Sequence, residues 1–258
     1  MPFTLSHVAA ALPLRRLPLV WSAFVVGSMA PDFPYIIGNT DYRGLGHQWP
    51  GVVEFTFPAA IFALWLFHTA LKRPAATLLP PAVRRRLAIH LGDFQFGGAA
   101  RFAAILISIA LGIATHLIWD AFTHAFSWPW RRWAWMQLYF KLPRVGLTPI
   151  YRILQYGSTV FGLLALGVWI WLWYRRTTPN PGNDSVGTKS GPVLVGAMVA
   201  LALAIGFLRA WMLIGIPRNM EIADSFFLVF GVTSIALVFW QVILYCVMIS
   251  SHQTWTIS

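Results

Sequence analysis

Five long apolar stretches constrain this chain more than any other feature: Gly51–Leu71, Phe102–Phe122, Tyr156–Tyr174, Val193–Ile216 and Phe226–Ile249. A helix rises 1.5 Å per residue, so about 20 mostly apolar residues cross the roughly 30 Å hydrocarbon core of a bilayer. Each stretch approaches or exceeds that length, and the last carries no charge. Lipid offers the backbone no hydrogen bonds, so a spanning segment is a helix or part of a closed barrel, and no alternating pattern points to a barrel. The expected fold class is therefore all-α: a polytopic membrane helical bundle of about five full spans. A sixth apolar run, Leu17–Ala30, is too short to cross and reads as a half-span or a packed helix.

Composition agrees. Only 10% of the 258 residues are charged and 58% are apolar, with a mean hydropathy of +0.65. Soluble domains carry about 25% charged residues, so this chain cannot cover a water-facing surface. Many of the 14 Trp and 19 Phe lie near the ends of apolar runs, where amphipathic rings favour the headgroup layer. The formal charge of +11 does not indicate nucleic acid, because the cations gather beside the spans. They are Lys72 and Arg73; Arg84, Arg85 and Arg86; Arg131, Arg132, Lys141 and Arg144; and Arg175 and Arg176. Cations so placed meet anionic headgroups, making membrane lipid the expected partner. Cys246 stands alone, which excludes an intrachain disulfide. No basic region precedes an apolar stretch at the N-terminus, so no cleaved signal is expected.

The chain divides by composition into residues 1–176, a membrane core, and residues 192–258, a plainer pair of spans. Between them, Thr177–Gly191 (TTPNPGNDSVGTKSG) is Gly-, Pro- and Ser-rich and reads as a flexible loop. Pro74–Arg101 holds an amphipathic helix around Ala82–Leu91 whose three arginines are expected at a membrane surface. Ser127–Arg152, aromatic and basic, is expected in the interface.

Ionisable groups at membrane depth are costly and are functional candidates by default. The run FAAILISIALGIATHLIWDAFTHAF carries His116, Asp120 and His124 at i, i+4 and i+8. On a helix these drift by only about 40° per step, so they share a stripe, with neighbouring Cβ atoms about 5–6 Å apart. Two such side chains can ligate one ion, and His and Asp suit zinc or a similar divalent metal. A His–Asp–His hydrogen-bond ladder between helices is an equal reading of these residues in isolation.

The N-terminus supplies more polar groups. A helix from Ser6 to about Leu12, capped by Ser6 or Thr4, a turn through Leu14–Pro18, and a second helix stopped by Pro31 would form a hairpin. That hairpin sets His7 beside Asp32. The Gly-rich turn Gly38–Gly46 then leads to His47, just before Pro50. His7, Asp32, His47 and the His124 end of the long run thus fall on one side of the membrane.

The segments MPFTLSH, GSMAPDFPY, HQWPG and THLIWDAFTH together resemble a bacterial family of uncharacterised integral membrane proteins over roughly residues 1–165. More distantly, they are similar to inner-membrane metal-dependent hydrolases. The H-x-x-x-D pattern is similar to that of the zinc-dependent phospholipase C and nuclease superfamily. The resemblance implies a metal site made from His7, Asp32, His47, His116, Asp120 and His124, and a bacterial inner-membrane location. The soluble phospholipases also use an N-terminal Trp and extra His and Glu ligands that have no match here.

Of the remaining polar residues, Glu54 reads as a seventh ligand, a general base or, better, a partner orienting a histidine. Asp41 reads as a turn residue, His68 as interfacial, His90 as part of the surface helix, His252 as tail, and Arg209 as snorkelling to the surface. Glu221 and Asp224 are expected to pair with Arg218 or Arg209. The expected function is a metal-dependent hydrolase with Asp32 and Asp120 as catalytic ligands, acting on a lipid or lipid-linked phosphoester. The alternative is a non-enzymatic transporter or assembly factor using the same cluster as a structural metal or proton-relay site.

Overall fold

The computed structural model describes residues 3–37, 43–143, 146–180, 190–218 and 220–252. Residues 38–42, with Asp41, and 181–189 of the polar loop lie outside the described residues, as do Arg144 and the side chains of Glu221 and His252.

In chain order the helices are α1 (Thr4–Leu14), α2 (Trp21–Met29), α3 (Arg43–His47) and α4 (Val52–Thr77). They continue with α5 (Pro81–Leu87), α6 (Ala99–Thr123) and α7 (Trp128–Arg132). After a short hairpin of β1 (Tyr139–Leu142) and β2 (Gly146–Pro149) come α8 (Ile150–Arg176), α9 (Gly191–Ile214) and α10 (Met220–His252). The described helices include 5 long and apolar enough to span a bilayer: α4, α6, α8, α9 and most of α10. The chain is thus an all-α polytopic bundle, and each span contains one of the stretches read from hydropathy except for Gly51 of the first and the last two residues of the fourth. The short run beginning at Leu17 forms only α2, as its length requires.

Contacts gather into two units. One comprises Met1–Phe33, Gly44–Leu64 and Gln95–Arg175; the other comprises Pro34–Arg43, Trp65–Phe94 and Arg176–Ser258. In the first unit α2 packs along α6. The buried residues of α6 are Ile105, Ser108, Ile109, Gly112, Ile113, His116, Asp120 and Thr123, spaced by three or four as one helical stripe. That stripe is apolar at its start and polar at its end. The crossing is close because it is built on glycines. A Cβ on Gly112 would meet the Phe24 carbonyl and, at 2.7 Å, the Ser28 amide, and one on Gly27 would meet the Ile109 backbone. The Ser108 hydroxyl accepts from the Val20 amide at 2.9 Å, fixing the start of α2. The hairpin return carries α1 onto α8, where the Phe3 amide donates to Thr159 Oγ1 at 3.1 Å.

In the second unit α9 packs on α10, and the end of α4 meets both. The hydroxyls of Thr77 and Tyr245 lie 2.7 Å apart, and the Gly191 backbone sits against the Thr77 carbonyl. Phe161, Leu164, Met212, Leu213 and Val247 leave large apolar surface exposed along their helices. Such surface is stable only against lipid or another apolar partner.

Several local expectations are corrected. Neither Thr4 nor Ser6 caps α1; its N-cap is Phe3, the Ser6 hydroxyl donates to the Phe3 carbonyl, and Thr4 is engaged elsewhere. The second helix does end just before Pro31, at Met29 with Ala30 as its C-cap, but the chain does not leave the helical region. The chain tightens there into a 3-10 turn, Ala30–Asp32, and one more helical turn, Phe33–Ile36, because proline is tolerated in the first turn of a helical segment. Of the three arginines expected at a membrane surface, Arg84 is buried within the protein. His68, expected at the interface, lies within α4, which runs on to Thr77, and its imidazole stacks on Phe94 with centroids 3.8 Å apart.

Candidate metal centre

The first unit brings all six candidate side chains into one cluster. Each arrives by a different local cause. His7 ends the first helical turns of α1, folded back by the hairpin. Asp32 closes the 3-10 turn after α2. His47 ends α3, where the backbone must pass close: a Cβ on Gly46 would collide with the Pro31 carbonyl, so only glycine allows His47 to reach Asp32. Thr56 Oγ1 donates to the Leu45 and Gly46 carbonyls at 3.3 and 3.4 Å and holds that turn. His116 and Asp120 stand one turn apart on α6, one and two turns beyond Gly112.

His124 departs from the expected stripe. The helix ends at Thr123, and His124 follows in extended backbone (φ −128°, ψ 141°). Its ring still turns back, with Nδ1 donating to the Asp120 carbonyl at 2.8 Å and lying 3.9 Å from Asp120 Oδ1.

Distances within the cluster are uniform. His47 Nε2 is 3.1 Å from Asp120 Oδ2 and 3.6 Å from Asp32 Oδ1. His7 Nε2 is 3.5 Å from Asp120 Oδ1. His116 Nε2 is 3.6 Å from Asp120 Oδ2 and 3.7 Å from Asp32 Oδ1. None of these pairs makes a hydrogen bond: Nε2 of His7, His47 and His116, Oδ1 of Asp32 and both Asp120 oxygens have no hydrogen-bond partner. Yet His7, His116 and Asp32 are 1%, 0% and 2% exposed. Buried polar groups without partners are heavily penalised, so this arrangement calls for something to bind them.

Two of the outward polar atoms are anchored, those of His116 and Asp32. His116 Nδ1 lies 2.7 Å from the Ser28 carbonyl, which only accepts, so Nδ1 carries a proton and Nε2 is the atom that faces the cluster. The Thr4 hydroxyl donates to Asp32 Oδ2 at 2.6 Å, leaving Oδ1 facing inward. The His7 ring stacks on His116 at 3.8 Å and meets the Trp119 edge at 5.9 Å. Burial, then the neighbouring His116 ring, lowers the His7 imidazole to about 3, so it is neutral and able to ligate at ordinary pH. Burial pushes the Asp32 carboxyl above its usual range, opposed by His116 and by the Thr4 hydrogen bond.

These residues fit a divalent ion. Two donors each about 2.1 Å from an ion in a tetrahedral shell lie about 3.4 Å apart. The five contacts of 3.1–3.7 Å fall around that edge length, and the four of 3.5–3.7 Å are long for hydrogen bonds. Two trios qualify as metal-holding groups, His7–His116–Asp120 and Asp32–His47–His116, with all donor atoms within 4.8 Å in each. They share His116, whose inward-facing Nε2 can ligate one ion at a time.

The chain matches, over residues 1–247, the family described as Domain of unknown function (DUF4184). It belongs to this family. No curated protein and no solved structure matches the chain. The family spans both the cluster and the two C-terminal helices, so the cluster is built within a domain that continues well beyond it.

Glu54 is exposed and does not join the cluster. Sequence reasoning missed the role of Thr4, which reads in the sequence as a helix cap, and of the Ser28 carbonyl, a backbone atom without a side-chain signature.

Proposed function

We propose that this family member is a membrane-bound metal-dependent hydrolase that acts at the membrane boundary on a lipid or lipid-linked phosphoester. The observation that carries the reading is the set of inward-facing, hydrogen-bond-free donors at coordination-edge spacing, with the outward atoms of Asp32 and His116 tied down. His7, His47, His116, Asp32 and Asp120, with His124 at the margin, would hold one or two divalent ions, zinc being well suited to this N and O donor set. Such an ion supplies hydroxide at neutral pH by lowering the pKa of bound water from 15.7 to about 7.

The chain's own residues perform the rest. Asp32 and Asp120 would contribute the negative charge and carboxylate oxygens as ligands. Ser28 and Thr4 fix the orientation of His116 and Asp32. His7 and His116, stacked and buried, exclude water from the inner wall. His47 and His124, at 14% and 20% side-chain exposure, form the accessible rim where a substrate would approach. Near them in sequence, Trp49 and Phe126 are 79% and 68% exposed, suited to the acyl or headgroup region of a lipid. A bacterial inner-membrane location is part of the same proposal, supported by the five apolar spans.

The deep burial of His7, Asp32 and His116 favours a second reading, a closed structural metal or proton-relay site in a non-enzymatic membrane protein. Elemental analysis of detergent-purified full-length protein, combined with hydrolysis of generic phosphodiesters, separates the two. The hydrolase reading expects bound divalent metal and metal-dependent turnover that disappears with chelation. Bound metal without turnover supports the structural site, and protein that takes up no divalent metal removes both metal readings.

A further inference from the structure

The second unit contains a cation whose charge the described residues do not meet. Immediately after the span α4 ends at Thr77, the chain turns through Pro80 into α5, which carries Arg84, Arg85 and Arg86. Arg84 is only 4% exposed, and its Nε and Nη1 have no hydrogen-bond partner. Neighbouring cations differ. Arg86 Nη1 donates to the Ala82 carbonyl at 2.8 Å, Arg73 pairs with Asp93 at 2.9 Å, and the Lys72 ammonium donates to the Gly92 carbonyl. A guanidinium cannot deprotonate to escape burial, and a buried charge without a counter-charge is strongly disfavoured. Its position is also telling: α5 follows the end of α4, where the Thr77 hydroxyl meets Tyr245 and the Thr77 carbonyl meets the first residue of α9. The end of a span lies at headgroup depth, where phosphodiester anions are the abundant counter-charge.

We propose that Arg84 is the core of a second binding site, separate from the metal centre, for a phosphate-bearing anion: the phosphodiester of a membrane phospholipid or free phosphate. Arginine is the side chain best matched to phosphate oxygens, because its planar group offers several donors at once. The backbone N–H of Asn180 donates to the Arg85 carbonyl at 3.1 Å, so the segment after α8 is tied to the same turn.

The test is thermal unfolding of the full-length protein in neutral detergent with added phosphatidylglycerol, diacylglycerol of the same chains, or inorganic phosphate. Phosphatidylglycerol is expected to raise the midpoint by several degrees more than diacylglycerol. Arg84→Met, which keeps the bulk without the charge, is expected to lose that increment. An equal increment from inorganic phosphate assigns the site to a soluble phosphate. Equal effects of phosphatidylglycerol and diacylglycerol, with none from phosphate, overturn the proposal on the wild-type protein alone, whether or not the variant folds. Retention of the increment in Arg84→Met also overturns it. Asp184, outside the described residues, is the internal competitor. If Asp184→Asn lowers the lipid-free midpoint and adding Arg84→Met restores it, Asp184 is the counter-ion and the site does not exist.

Discussion

The Nδ1 atom of His116 donates to the carbonyl oxygen of Ser28 across 2.7 Å, joining α6 to α2 at the floor of the histidine–aspartate cluster. One turn earlier Gly112 touches the Ser28 amide, so the same crossing that packs the two helices also sets which imidazole nitrogen faces inward. Stability and site geometry are therefore coupled at one point. Gly112→Val is expected to push the helices apart, costing on the order of 1–3 kcal/mol as an overpacked core residue does. Metal content should fall with it. Thermal midpoint and metal per protein, measured together, check this; a variant as stable as its parent and fully loaded would refute the coupling.

Asp120→Asn is expected to remove metal while the bundle stays folded. Asparagine keeps the shape and can still hydrogen-bond to a histidine, but it lacks the charge a divalent ion requires. Replacing a carboxylate at membrane depth by a neutral amide also relieves a desolvation cost, so stability should change modestly. Metal affinity should drop by about tenfold or more, with turnover falling in parallel. Equal metal in mutant and parent, purified side by side, would favour the hydrogen-bond ladder instead.

Thr4→Val isolates orientation from ligation. The Thr4 hydroxyl touches only the outward oxygen of Asp32, at 2.6 Å, and its loss leaves every donor in place. Partners of this kind are worth about 10–100-fold in metal affinity, against roughly 1 kcal/mol of stability for one hydrogen bond. Zinc titration against a competing chelator reads the first and thermal unfolding the second. Thr4→Ser should recover most of the affinity.

In metal-stripped protein, His7 should make stability depend on pH. Its folded value, about 3, lies below the 6.5 of the unfolded chain. As pH falls below about 6.5 the unfolded chain takes up the proton first, so stability is lost progressively down to about 3, by at most about 1.4 kcal/mol per pH unit. Above 6.5 the contribution is flat. Comparing wild type with His7→Asn by denaturant unfolding from pH 7 to pH 4 isolates the effect. The difference should shrink as pH falls, and a constant difference would contradict the burial of this ring.

What the sequence determined by itself was the membrane fold. The lengths of the runs containing His116, Val199 or Ile235 leave no alternative to spanning helices, because hydropathy acts locally and a bilayer fixes the length. It also placed His116 and Asp120 on one helical stripe, since their spacing of four is set by the helix alone. Tertiary structure decided the rest. Whether His7, Asp32 and His47 meet Asp120 depends on where two turns send the chain, and the residues that permit it, Gly46 and Gly112, act by lacking a side chain. A glycine in sequence does not say which backbone it must admit. His124 shows the converse: its i+8 spacing promised a place on the stripe, yet the helix ends one residue before it, and its ring turns back to the cluster with a hydrogen bond to the Asp120 carbonyl. The orientation of His116 likewise rests on a Ser28 backbone oxygen that every residue type carries, so only the folded contact could reveal it.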